Sequence, residues 1–191
     1  MHHPYSRHNG CHTYRHSMSN YAFIALIGLL GLLSGCESYD VSINDNVVYT
    51  PKPLLRDVNV ADSNLASCIK QTISDDKITR AVDLTRLRCT HAGIVTLAGI
   101  ETFYGLVQLD LGDNAITDVK PLEKLGRLQV ALLGENHISS AEPLLRLIKL
   151  VELDLEGNPI ADCRDVAQLE RALKENQGML LTPKSCEKHT S

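Results

Sequence analysis

Apolar positions between residues 84 and 171 fall into one frame that repeats. Leu106, Leu109 and Leu111 are followed by Asn114 and Ile116. Leu128, Ala131, Leu133, Asn136 and Ile138 hold the same offsets, as do Leu150, Leu153, Leu155, Asn158 and Ile160. The step from 106 to 128 and from 128 to 150 is 22 residues. One step back stand Leu84, Leu87, Cys89, Ala92 and Ile94, so four registers fit and the first lacks its asparagine. A second half repeats as well: Leu97, Val119, Ala141 and Cys163 align, then Ile100, Leu122, Leu144 and Val166, then Phe103, Leu125, Leu147 and Leu169. Alternation at period two predicts a short strand starting at Leu84, Leu106, Leu128 and Leu150. Pro121 and Pro143 share one position of the return segment, which predicts short helical turns there rather than long helices.

A period between 20 and 29 residues with leucines in this frame and an asparagine after them is the leucine-rich-repeat signature. The predicted fold is an α/β solenoid of four repeats, because no unit can bury its apolar side alone and stacking gives each unit a neighbour. The asparagine then has a reason. Where the chain leaves each strand, backbone N–H and C=O groups lose their ladder partners. A buried carboxamide offers donors and an acceptor to satisfy them. Asn114, Asn136 and Asn158 are therefore expected to form a ladder along the stack. A helix over about Asp62–Ile73, with Leu65, Ile69 and Ile73 facing in and Asp62 as its cap, should cover the first strand. A second helix over Asp165–Asn176 should close the other end through Val166, Leu169 and Leu173.

The repeats resemble those of internalin-type bacterial surface proteins. The stretch "DSNLASCIKQTISDDKITRAVDLTRLRCTHAGIVTLAGIE" resembles that family's helical N-terminal cap and first repeat, and the likeness runs from roughly Val60 to Leu173. The chain departs from the pattern in having few repeats and cysteines in both caps. Cysteine-bearing caps are similar to those of short leucine-rich-repeat lipoproteins of Gram-negative bacteria. The resemblance implies a partner-binding, non-enzymatic protein and names no partner.

The N-terminus suggests where the protein works. "YAFIALIGLLGLLSGC" is an apolar run of about 13 residues ending in small residues and a cysteine, too short for a comfortable span and similar to a signal peptide. Leu33-Ser34-Gly35-Cys36 matches a lipobox, in which Cys36 is acylated and becomes the mature N-terminus. An ordinary signal peptide with a chance cysteine is the competing reading. Glu37 follows Cys36, where the family picture has an aspartate for inner-membrane retention, so the outer membrane is the expected address. Translation from Met1 or from Met18 leads to the same mature chain, and Cys11 with the clustered histidines is discarded as a metal site. The expected organisation is residues 1–35 signal peptide, 36–59 tether, 60–83 N-terminal cap, 84–171 repeats and 172–191 C-terminal cap tail.

Removing residues 1–35 from 191 leaves 156, enough for one domain with a core. That removal takes Arg7 and Arg15 and no acid, so the formal charge of −4 becomes −6. An acidic chain argues against nucleic acid as a partner. Cys68, Cys89, Cys163 and Cys186 remain after Cys36, and four cysteines allow three pairings. Cys68 lies on the cap helix over the strand that holds Cys89. Cys163 lies in the last repeat and Cys186 in the tail that should fold over it. One bond per cap, Cys68–Cys89 and Cys163–Cys186, is the expectation, because a crossed pair would have to span the solenoid. Buried free thiols or a four-cysteine metal site remain the alternatives.

Function is then expected on the concave face, where strand side chains between the leucines point to solvent. The first row is Arg86, Gln108, Val130 and Glu152, and the second is Arg88, Asp110, Leu132 and Asp154. Thr90, Gly112, Gly134 and Glu156 make a third, and His91, Asp113, Glu135 and Gly157 a fourth. Arginines stand at one end, carboxylates at the other, and Val130 and Leu132 are apolar where polar residues are expected. An apolar centre with a polar rim is interface-like, and a solvated face with two stray aliphatics is the bland alternative. The expected role is a monomeric, lipid-anchored binder of a protein partner, with no cofactor and no metal. A constitutive structural subunit of an envelope complex is the second reading. An enzyme or cation binder using His91, Asp113, Glu135 or the acids Asp110, Glu152, Asp154 and Glu156 is a remote third, since no nucleophile accompanies the histidine.

Overall fold

The computed structural model describes residues 53–187, together with two short strands nearer the N-terminus, β1 (Val41–Ile43) and β2 (Asn46–Tyr49), which pair antiparallel. Cys36, the apolar run before it and residues 37–40, 44–45 and 50–52 of the expected tether lie outside the described residues. Among the described residues no helix is long and apolar enough to cross a membrane.

The repeats build one parallel sheet of five strands. These are β3 (Arg86–Arg88), β4 (Gln108–Asp110), β5 (Val130–Leu132), β6 (Glu152–Asp154) and β7 (Met179–Leu181), in that spatial order. The pairing follows the repeat frame, with Arg86 beside Gln108, Gln108 beside Val130, and Val130 beside Glu152. The middle residue of each of the first four strands, Leu87, Leu109, Ala131 and Leu153, points into the core. The leucines that open each expected strand, Leu84, Leu106, Leu128 and Leu150, are also buried but sit in the turn before the ladder. That is why the observed strands are shorter than the pattern predicts. The return segments at Lys120–Lys124 and Glu142–Arg146 are single 3-10 turns, each with its proline in the first turn.

The asparagine ladder is present and closes the polar accounting. Asn136 Nδ2 donates to the carbonyls of Leu111, Leu133 and Gly134, and its Oδ1 accepts from Ile116 N at 3.0 Å. Asn158 repeats this one unit on, with Leu133, Leu155, Glu156 and Ile138 N. Asn114 holds the Cys89, Leu111 and Gly112 carbonyls and accepts from both Ala92 N and Ile94 N. Asn114 therefore serves the first repeat from its neighbour, and Ala92 needs no side-chain oxygen of its own.

Helix α1 (Ser63–Asp75) covers the first repeat through Leu65, Ile69 and Ile73. One Asp62 oxygen accepts from Asn64 N and Leu65 N, and the other from Val95 N, so a single carboxylate ties cap to repeat. Burial alone would raise the Asp62 pKa, but the bonds from Val95, Leu65, Thr96 and Asn64 outweigh it and hold the group below its ordinary value. Helix α2 (Cys163–Glu175) closes the far end through Val166, Leu169 and Leu173. It starts two residues before the expected Asp165, because Asp162 caps it by accepting from Arg164 N. Cys68–Cys89 and Cys163–Cys186 are both disulfide-bonded, with Cα–Cα separations of 6.0 and 5.3 Å. Each bond fastens one end of the stack.

Two regions differ from the sequence reading. The end of the expected tether packs on the domain: Leu55 and Val58 are partly buried against the core, and Leu55 N donates to Ile78 O at 2.9 Å. A Cβ on Gly99, whose φ is +98°, would stand 2.3 Å from Asn59 O, so glycine is what admits this segment. Its apolar residues follow an irregular surface, and no helical or strand period marks them. The second difference is β7, which adds a strand beyond the four repeats.

Candidate partner-binding face

Both outward rows are continuous across the sheet, and β7 extends each of them. Met179 follows Glu152 in the first row, and Leu181 follows Asp154 in the second. Neighbours along a row stand about 4.8 Å apart. From β3 to β7 the face therefore reads basic, polar, apolar, acidic, apolar. Val130 and Leu132 are half-exposed and outside the core, while Met179 and Leu181 are exposed. The pattern that predicts strands misses β7 because α2 occupies its return segment. The step from Glu152 to Met179 is 27 residues, which breaks the frame of 22. The short apolar run Met179-Leu180-Leu181 is the local signal of this strand.

Charges on this face divide into those with partners and those without. Arg88 Nε lies 3.0 Å from Asp110 Oδ2 across β3 and β4. Asp154 has no cation within ion-pair distance among the described residues. Its Oδ1 accepts from Glu156 N at 2.9 Å, and its carboxylate leans over Gly134, where a Cβ would stand 2.7 Å from Oδ2. Burial raises the Asp154 pKa, the charges of Glu156 and Asp110 add to the rise, and the Glu156 N–H opposes it. A depression of about 430 Å³ opens between α1 and β3–β5, lined by Thr72 and Asp76 from the helix side and by Arg86, Arg88, Gln108 and Leu132 from the sheet.

The fourth row has a structural explanation. His91, Asp113 and Glu135 have φ of +54°, +57° and +53°, and Gly157 has +74°. Each stands in the left-handed turn by which the chain leaves its strand, directly before the asparagine position. His91 Nε2 is 3.3 Å from Asp113 Oδ2. The Glu135 carboxylate lies instead against Gly157, where a Cβ would meet it at 2.4 Å. The row does not converge on a common point where a reacting atom could sit.

No protein-family model matches the chain, and no curated protein does. Solved structures do. An internalin, InlF, from Listeria monocytogenes aligns with a TM-score of 0.56 at 26% identity over 66% of this chain. The functional domain of InlJ from the same organism, which includes a cysteine ladder, aligns with a TM-score of 0.50 at 25% identity over 57%. The chain spans 44% of the first and 25% of the second. The likeness is thus to internalin-type leucine-rich-repeat proteins over less than half of their solved length.

Proposed function

We propose that this chain, an internalin-like leucine-rich-repeat protein, binds a protein partner through the outward rows of its parallel sheet. The observation that carries the reading is the apolar pair Val130 and Leu132. Both are outward on the central strand, neither belongs to the core, and they are flanked by Gln108 and Asp110 on one side and by Glu152 and Asp154 on the other. An apolar anchor inside a polar rim is the arrangement in which a few residues carry most of the binding energy. Asp154 supports it from the other side: a carboxylate partly desolvated with no cation beside it gains one when a basic partner group arrives. The contacting residues in this reading are Arg86, Arg88, Gln108, Asp110, Val130, Leu132, Glu152 and Asp154, with Met179 and Leu181 added by β7.

In the same reading residues 1–35 are a lipoprotein signal peptide, Cys36 carries the lipid, and the segment up to about residue 52 tethers the domain to the outer membrane. Four 22-residue repeats between two disulfide-fastened caps then display the sheet to the partner. Two experiments test the parts separately. Cys36→Ala should lose fatty-acid labelling and signal-peptide cleavage, and normal labelling of that variant would remove the anchor. A photo-crosslinking residue at the exposed Gln108 should yield adducts on intact cells that the same residue at the exposed Thr96 does not. Identical adducts from both positions, or none from 108, would remove the concave face.

A further inference from the structure

The edge of the solenoid by which the chain enters its strands has a composition unlike the rest of the surface. Each entry is a β-turn closed by one backbone bond: Leu106 N to Phe103 O at 3.0 Å, Leu128 N to Leu125 O at 2.9 Å, and Leu150 N to Leu147 O at 3.1 Å. The two residues at each turn tip are Tyr104-Gly105, Gly126-Arg127 and Ile148-Lys149, stacked one repeat apart. Tyr104 is 55% exposed and Ile148 77%, and Val151 beside them is exposed too. Gly126 lies between Tyr104 and Ile148 with open space over it. Arg127 and Lys149 are exposed and have no ion pair among the described residues, whereas Lys124 and Arg146 just before them are held by Glu101 and Glu123. The remaining tip, Val82-Asp83, has its carboxylate bound by Arg80. The opposite edge, where the chain leaves its strands, carries Asp113, Glu135 and Glu156.

We propose that this entry edge docks on an anionic membrane surface. Exposed aromatic and aliphatic side chains interleaved with free cations are the chemistry that suits an acidic headgroup layer. The turn tips follow one another along one side of the stack, while the acidic residues of the exit edge lie on the opposite side. The proposal rests on the lipid-anchored reading for its strength. Two cations and two apolar tips bind weakly alone, and a tether makes their docking intramolecular. Docked this way, the concave rows face sideways, open to a partner in the same membrane.

The test supplies the tether chemically, so it does not depend on acylation in the cell. The chain Cys36–Ser191, with its two disulfides intact, is coupled through the Cys36 thiol to a maleimide lipid in vesicles. The protein has no tryptophan, so Ile148→Trp is a unique reporter. Its emission should move to the blue on phosphatidylcholine vesicles containing phosphatidylglycerol and should be quenched by brominated lipid. Val95→Trp, exposed just beyond the exit turn of the first repeat, should do neither. Adding Arg127→Gln and Lys149→Gln should lower the docking equilibrium constant about thirtyfold, since each basic residue near an anionic surface contributes about fivefold. Equal response at the two tryptophan positions, equal response on pure phosphatidylcholine, or no loss in the double variant would each overturn the proposal. So would vesicle silence combined with protein crosslinks from position 148 on cells, which would assign the edge to a protein. Loss of acyl labelling in the Cys36→Ala experiment bears on the anchor alone.

Discussion

The two edges of the stack solve the same problem, reversing the chain between sheet and return segment, with opposite means. The exit edge uses fixed chemistry. A left-handed residue at 91, 113, 135 or 157 precedes an asparagine position, and the carboxamides of Asn114, Asn136 and Asn158 satisfy backbone groups of two adjacent units. The entry edge closes each turn with one backbone bond, with Asn176 Nδ2 added at Ile148 O, and apart from Gly105, which lies against Val82 O, it asks nothing of the side chains at its tip. Where the backbone closes itself, the side chains of Tyr104, Arg127, Ile148 and Lys149 are free of the fold. Their exposure then calls for an explanation other than stability.

That contrast can be broken at the exit edge first. Asn136→Leu leaves the buried Ile116 N without a partner, at roughly 1–3 kcal/mol, and takes one donor each from the Leu111, Leu133 and Gly134 carbonyls, which keep Asn114 Nδ2, Asn158 Nδ2 and Asp113 N. A loss of about 2–3 kcal/mol in urea melts is expected. A loss under about 1 kcal/mol would mean that water replaces the ladder. Replacing Cys163 and Cys186 by serine opens a loop of 23 residues, and about 3 kcal/mol should follow. The damage should be local, with hydrogen exchange in β7 and α2 accelerating before exchange in β3.

Asp62→Ala should cost about 1 kcal/mol as a lost cap. Because the folded-state pKa of Asp62 is depressed, its stabilisation is present above the ordinary aspartate pKa of 3.8 and fades as pH falls through the folded value. Wild type and Asp62→Asn should therefore converge in melting temperature on acidification. Asp154 has the opposite sign. Its folded-state pKa is raised, so the ionised group costs stability at neutral pH and costs nothing once both states are protonated. Asp154→Asn should melt slightly higher than wild type at pH 7 and equally at pH 3. A lower melting point at pH 7 would show that the carboxylate supports the fold instead of awaiting a partner. The smallest effect belongs to the entry edge, where Arg127→Gln and Lys149→Gln should each leave stability within about 0.5 kcal/mol.

The same contrast sets what the sequence reveals. The solenoid, the asparagine ladder and the inward faces of both cap helices follow from a frame of 22 residues, because buried positions admit few residue types. The outward rows through Arg86–Glu152 and Arg88–Asp154 follow by counting between the leucines. Beyond Asp154 the counting stops, because α2 replaces a return segment, and Met179 and Leu181 are invisible to it. The packing of Leu55 and Val58 is invisible for a similar reason: their partners are scattered over Ile78 and the cap, with no period to mark them. The entry edge hides in another way. Its turns need a particular residue only at Gly105, so no repeating motif marks them, and only exposure in three dimensions sets Tyr104 and Ile148 apart.

The central claim is that the outward apolar pair on β5 anchors a protein partner, and its most direct test is capture of the crosslinked partner by the purified domain carrying Val130→Ala and Leu132→Ala together. Truncating an anchor at the centre of an interface costs about 2 kcal/mol or more, so affinity should fall by tens of fold. The melting temperature should stay at the wild-type value, since neither side chain belongs to the core. A double variant that melts like wild type and captures the same partner with the same affinity would contradict the account.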